Sequence, residues 1–203
     1  MDRDCIIVSV TRATQYEWTA DEHFARRREL YIRAAPVFAK HGYRGATLKA
    51  IANACGLSIP GLYRYFPSKK AFALFPLTSL YPELHGPPPN VAAGDPCTHL
   101  SGWIEAAAAE APNYLLAARL LTEVGLEEDE RRRMDASLGE HIGIVADLAR
   151  RAAPQLTEAR ARELAATMIN VALAPALTGI APEPDTLRRE LRALLRGHGV
   201  VVP

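Results

Sequence analysis

The stretch Pro60-Gly61-Leu62-Tyr63-Arg64-Tyr65-Phe66, followed by Pro67-Ser68-Lys69-Lys70, concentrates the side chains best suited to contact another molecule. Two phenols flanking a guanidinium can donate hydrogen bonds to phosphate oxygens. The arginine fork also matches the O6 and N7 atoms on a guanine edge. Ser68 and the two lysines behind it would offer free backbone amides and positive charge to an anion. Competing chemistry is thin. Cys97-Thr98-His99, with His85 nearby, could suggest a nucleophile or a metal site. No third ligand stands at helical spacing, however, and neither a zinc-binding histidine motif nor a glycine-rich phosphate loop is present. The residues point to binding rather than catalysis, with no metal and no cofactor.

Two short helices and a tight turn must hold these side chains. Thr47 is an N-cap residue, and Leu48, Ile51, Ala52 and Cys55 follow at i, i+3, i+4 and i+7 on one helical face. Gly56 can close that helix in the left-handed conformation. Ser58 is a second cap candidate. Pro60 suits a first helical turn and disfavours helical dihedrals at Ile59, so the second helix is expected to start at Pro60. Leu62 and Phe66, four residues apart, face inward and leave Tyr63, Arg64 and Tyr65 to include the outward residues. This is a helix-turn-helix pattern.

The same residues closely resemble the DNA-binding head of TetR/AcrR-type transcriptional regulators. The resemblance rests on Thr47, Gly56-Leu57-Ser58, Leu62-Tyr63-Arg64-Tyr65-Phe66 and Ser68-Lys69, and spans roughly Arg28 to Phe75. It implies that Tyr63, Tyr65, Thr47 and Lys69 contact DNA phosphates, with Lys70 beside them. Arg64 is the candidate for a base edge, and Lys49 could reach backbone or base. Ser58, Pro60 and Gly61 complete the expected contact surface. Pro60 can give only apolar contact, and Gly61 permits close approach without a side chain.

Charge supports a nucleic-acid partner. Between Thr19 and Pro76 there are ten Lys/Arg against three Asp/Glu, and from Leu77 onward twelve against seventeen. A basic head on an acidic body fits a phosphate-binding module joined to something else, against chance segregation on a solvated surface. Residues 1–18 form a tail of uncertain structure. A capping box at Thr19-Ala20-Asp21-Glu22 opens a first helix that runs to about Lys40 and ends at Gly42, with Pro36 expected to bend it. Residues 19–76 thus make the helix-turn-helix domain. Ser68 opens a further helix, expected over 71–80 with Pro76 ending or kinking it. No apolar run is long enough to span a membrane, and three scattered cysteines are no disulfide framework, so the expected location is the cytoplasm.

Residues 77–203 read as an all-α effector-binding and dimerisation domain with a Pro/Gly-rich loop at 81–96. Helices are expected from Pro96 to Ala111, from Asn113 to Val124 after a break at Pro112, and from Glu127 to Ala153. Two more follow, capped by Thr157 and Asp185. Glu127 to Arg133 offers three acid-to-arginine pairs at i, i+4. Residues 164–180 are apolar nearly all round, which predicts burial on more than one side. A second copy of the chain is the economical partner, and the alternative is a helix central to the monomer. Met168, Val171, Ala172, Pro175, Leu187, Leu191 and Leu194 are the expected homodimer contacts, in a four-helix interface that the resemblance also implies. Trp103, Tyr114, Leu120, Met134, His141 and Met168 are candidates to line a pocket for a small hydrophobic or aromatic effector, although each, His141 above all, reads equally as ordinary core. The expected function is a ligand-responsive regulator, commonly a repressor, gripping a palindrome in double-stranded DNA. The rival reading is a helical small-molecule carrier or interaction protein without specific DNA binding.

Overall fold

The computed structural model describes residues 20–78, 94–180 and 183–203. These form α1 (Ala20–Gly45), α2 (Leu48–Cys55), α3 (Ile59–Tyr63), α4 (Lys69–Ala73), α5 (Phe75–Thr78), α6 (Pro96–Val124), α7 (Glu128–Ala152), α8 (Glu158–Thr178) and α9 (Pro184–Gly197). No strand occurs among the described residues, so the all-α expectation holds. The expectations for residues 1–18, for a cap at Thr19 and for residues 81–93 of the loop lie outside the described residues. None of the described helices is long and apolar enough to cross a membrane.

Local chemistry sets the head. The Thr47 hydroxyl accepts from Ala50 N–H at 3.1 Å and starts α2. Gly56, at φ 68°, ends it, and the Leu57 amide bonds back to the Ala52 carbonyl at 2.9 Å. Ser58 caps α3 through Gly61 N–H at 3.1 Å, and Ser68 caps α4 through Ala71 N–H at 3.0 Å. The second helix begins at Ile59, one residue before the expected start, because the Ser58 cap sets the boundary and Pro60 is tolerated in the first turn. Helix α1 continues through Pro36, and its non-helical dihedrals fall at Gly42 (φ 64°, ψ −178°).

Phe24, Leu30, Tyr31, Phe38, Ile51, Leu62, Phe66, Phe72 and Phe75 pack into one apolar core, the core of the head. Phe66 and Phe72 meet edge to face with centroids 4.1 Å apart. A second core joins α6, α7, α8 and α9, with Leu100, Ile104, Val145, Leu164, Met168, Leu191 and Leu195 at its centre. Helix α6 serves both, since Leu120 near its C-terminus belongs to the head core.

Four helix expectations need correction. The helix expected over 71–80 is interrupted, as Pro76 implied, but two residues before the proline, and residues 79–80 lie outside the described residues. It closes at Leu74 (φ −94°, ψ 3°), and the Leu74 amide turns back to Lys70 and Phe72 carbonyls. Pro76 cannot donate to the Phe72 carbonyl, so the ladder stops and the short α5 begins with that proline in its first turn. Pro112 does not break α6. It removes one backbone hydrogen bond, but Leu100, Trp103, Ile104 and Ala107 before it and Tyr114, Ala117 and Leu120 after it are all buried. That packing on both flanks outweighs the local cost of about 3 kcal/mol. Of the three expected acid–arginine pairs, Glu128–Arg132 (3.6 Å) and Asp129–Arg133 (2.7 Å) form. Glu127 sits at the N-cap instead, its amide donating to Glu130 Oε2 at 2.8 Å. Asp185 does not cap α9. Pro184 opens the helix, and Asp185 in the first turn pairs with Arg188 at 2.6 Å.

Candidate nucleic-acid interface

Helix α3 buries Leu62 and turns Tyr63 (44 % exposed) and Arg64 outward. Arg64 follows the last helical residue, in right-handed helical dihedrals (φ −69°, ψ −23°). Thr47, Lys49, Ser58 and Pro60 are exposed on the same two-helix unit. Tyr65 is half-buried, with its ring stacked on His23 at a centroid separation of 5.6 Å. Phenol, guanidinium and hydroxyl groups therefore stand on a rigid base of two capped helices, clamped by Phe66 from below.

Two expected contact residues are placed otherwise. Gly61 is buried, and a Cβ there would meet Ser58 Oγ at 3.2 Å and Leu57 Cβ at 3.6 Å. Its missing side chain makes room for the cap and the turn. Lys70 Nζ bonds Glu130 Oε2 on α7 at 2.5 Å, which commits it to the body. That hydrogen bond, then the bond from Glu127 N–H, holds the Glu130 carboxyl below the usual carboxylate range. Lys69 keeps its place at the edge of the head. Its ammonium lies 4.5 Å from the Tyr43 ring centroid, and desolvation there pushes its pKa down.

Two residues not singled out from the sequence, Arg44 and Tyr43, stand beside this surface. Arg44 is exposed in the last turn of α1, three residues before the Thr47 cap, and Tyr43 underlies Lys69. A basic residue directly ahead of a capped helix was the signal available.

Body carboxylates secure the head at three points. Buried Glu110 on α6 pairs with Arg28 on α1 and accepts from Asn113 Nδ2 at 2.7 Å. Glu123 on α6 accepts from the Tyr43 and Arg44 amides at 3.1 and 3.4 Å, capping the chain just after the Gly42 break. Glu130 holds Lys70.

The expected pocket and dimer residues are distributed differently. Trp103, Tyr114, His141 and Met168 are buried in the body core, and Trp103 Nε1 donates to His141 Nε2 at 2.8 Å. None of the four lines either of two cavities bounded by described residues. Leu120 borders a groove of about 480 Å³ between α1 and α6. Met134 borders a cavity of about 210 Å³ beside Lys70 and Glu130. An apolar helical face reports burial, but not whether the burial surrounds a void. Met168, Ala172, Leu187 and Leu191 pack inside their own chain, so they are core rather than interface. Their stripe is consumed by α6 against α8 and α9. Val171 and Leu194 are half-buried, and the side chain of Pro175 lies outside the described residues.

Residues 32–74 match the family described as bacterial regulatory proteins, tetR family. No curated protein matches the sequence. Among solved structures, the TetR family regulator PfmR from Thermus thermophilus is similar at TM-score 0.53 and 22% identity, covering 82% of this chain and 97% of that one. A TetR/AcrR-family regulator from Thermobifida fusca is similar at TM-score 0.55 and 21% identity, over 86% and 98%. The transcriptional regulator FadR from Bacillus subtilis, solved with stearoyl-CoA, is similar at TM-score 0.55 and 15% identity, over 83% and 96%. The head thus matches the pattern of the tetR family of bacterial regulatory proteins over residues 32–74, and the helical fold of the chain is that of these solved regulators.

Proposed function

We propose that the protein is a ligand-responsive repressor that grips a palindromic operator as a homodimer and is released by a small, mostly apolar effector. The outward presentation of Tyr63 and Arg64 on capped α3 carries this reading. Thr47, Tyr63, Tyr65, Lys69 and Arg44 position the head on phosphates, and Arg64 reads a base edge, with Lys49 able to reach either. One five-residue helix offers too few contacts for specificity. Two heads about 34–36 Å apart would read successive major grooves.

Helix α8 supports the dimer. From Leu164 to Ile180 it carries no charged residue, although Thr167, Asn170 and Thr178 face outward and Val171 is half-buried. Such a weakly polar, uncharged face suits a second copy better than open solvent. The acyl chain of the molecule bound to FadR agrees with an apolar effector. A cytoplasmic location follows from a DNA target.

Selection of duplexes from a random pool, followed by retardation assays on the winners, tests the reading. A palindrome with half-sites one helical turn apart and a steep loss of affinity with salt is the expected result. No retardation at low salt would leave the carrier reading in its place.

A further inference from the structure

The groove between α1 and α6 combines features that the DNA-binding role does not use. Arg28 lies against Glu110, and the Tyr43 amide against Glu123, so the two helices run side by side in the same direction. Between these ties the groove extends from Ile32 to Gly42 on α1, a length of about 15 Å at the helical rise. It stays open because α1 presents Ala35, Ala39 and Gly42 to it, which are too small to reach Leu115 and Leu116 opposite. Its volume of about 480 Å³ falls in the range of small-molecule sites. Ile32 is left 44 % exposed at one end and adds apolar surface to the groove.

The two helix-interior prolines, Pro36 and Pro112, both face this groove. Neither can donate to the carbonyl four residues back, so the Ile32 carbonyl loses its helical partner there.

Charge selects the ligand. Glu123 already accepts from two amides, and the Asn113 amide group is given to Glu110. Arg119 remains. It is exposed, and its side chain makes a single described hydrogen bond, from Nη2 to the Gly179 carbonyl just past α8. The residue also borders this mostly apolar groove.

From these observations we propose that the α1–α6 groove is a binding site for a slender amphipathic anion, its apolar body along Ala35, Ala39 and Leu116 and its acidic head on Arg119. The site touches head and body at once. Its occupant spreads or clamps the seam that Arg28–Glu110 and Glu123 close, and Arg119 ties the same site to the end of α8. This deepens the regulatory reading above, and its coupling to DNA rests on that reading.

The test uses 8-anilinonaphthalene-1-sulfonate, an aromatic body with one sulfonate, on the full chain. Saturable fluorescence enhancement with one site per chain is expected. Ala39→Phe, an exposed helical position with room for the ring, should weaken binding tenfold or more. Arg119→Gln should weaken it severalfold. Retardation of duplex DNA should shift when the probe is added to the wild type and stay unmoved in Ala39→Phe. Equal probe binding by wild type and both variants would overturn the site. Probe binding that is lost in both variants but never alters DNA affinity would overturn the coupling and leave DNA recognition standing. A wild type that retards no duplex would remove the regulatory reading, while the titration alone would still decide the groove.

Discussion

Removing Arg28 should loosen the head from the body by an amount the seam itself sets. The Glu110 side chain is 5 % exposed and its partner Arg28 42 % exposed. Asn113 supplies one further hydrogen bond at 2.7 Å. Breaking a fully buried pair costs about 3–5 kcal/mol, because a charge is left without compensation. Water reaches the Arg28 end, so the figure must be cut to about 1.5–3 kcal/mol. The surroundings are apolar enough to justify the upper part of that range. Adjacent Tyr31 is buried with its hydroxyl unpartnered among the described residues, and burial, then the Glu110 charge, pushes its pKa up.

For a chain of this length 1 kcal/mol corresponds to about 2–4 °C, so Arg28→Ala should lower Tm by about 3–12 °C. Adding Glu110→Gln should recover about 1 kcal/mol, since the stranded charge is then gone while the Asn113 contact survives. Thermal and urea unfolding of wild type, the single variant and the double variant measure both numbers. A single variant within about 0.5 kcal/mol of wild type, the scatter of ordinary surface substitutions, would refute the argument. A double variant less stable than Arg28→Ala would do the same.

Arg64→Ala should relax operator preference at one base pair by about 1–3 kcal/mol, read by competition between operator variants; unchanged preference would take Arg64 out of the reading role. Lys69→Ala should weaken binding to all sequences alike and lower the slope of log affinity against log salt by about 1, whereas a sequence-selective loss would contradict a phosphate role. Gly42→Ala should destabilise by about 1–3 kcal/mol, since φ 64° with ψ −178° is backbone open essentially to glycine alone, and its Cβ would also stand 3.0 Å from Glu123 Oε1. Urea unfolding that shows no loss would mean the backbone there is freer than it stands. The Lys70–Glu130 tie is acid-sensitive in a defined direction. Glu130's folded pKa is depressed, so its contribution is complete above the ordinary carboxylate range and is lost as pH falls through the lowered value. Stability against pH for wild type and Lys70→Ala should therefore converge in acid; parallel curves would exclude the tie.

The head was legible because its boundaries are written in single residues. Thr47, Ser58 and Ser68 each cap the helix they precede, and Gly56 takes the left-handed conformation its position demands. Tyr63 and Arg64 face outward because Leu62 and Phe66 are the large apolar residues at inward spacing. The body was legible as helices but not as surfaces. Met168 and Leu191 look alike whether they meet their own chain or another, since a pattern of apolar residues does not name the partner. Pro112 misled for a related reason, because the packing that carries α6 past it comes from residues distant in sequence. The ties at Arg28, Tyr43 and Lys70 join residues 60 to 82 positions apart, beyond any local spacing rule.

The claim on which everything else depends is that α2 and α3 present a surface that binds duplex DNA. Affinity of the full chain for a selected palindrome and for an unrelated duplex, each titrated from low to physiological salt, tests it most directly. Steep salt dependence is expected for both, with the palindrome bound at least about 10³-fold more tightly. Weak binding that is insensitive to salt and indifferent to sequence would contradict it.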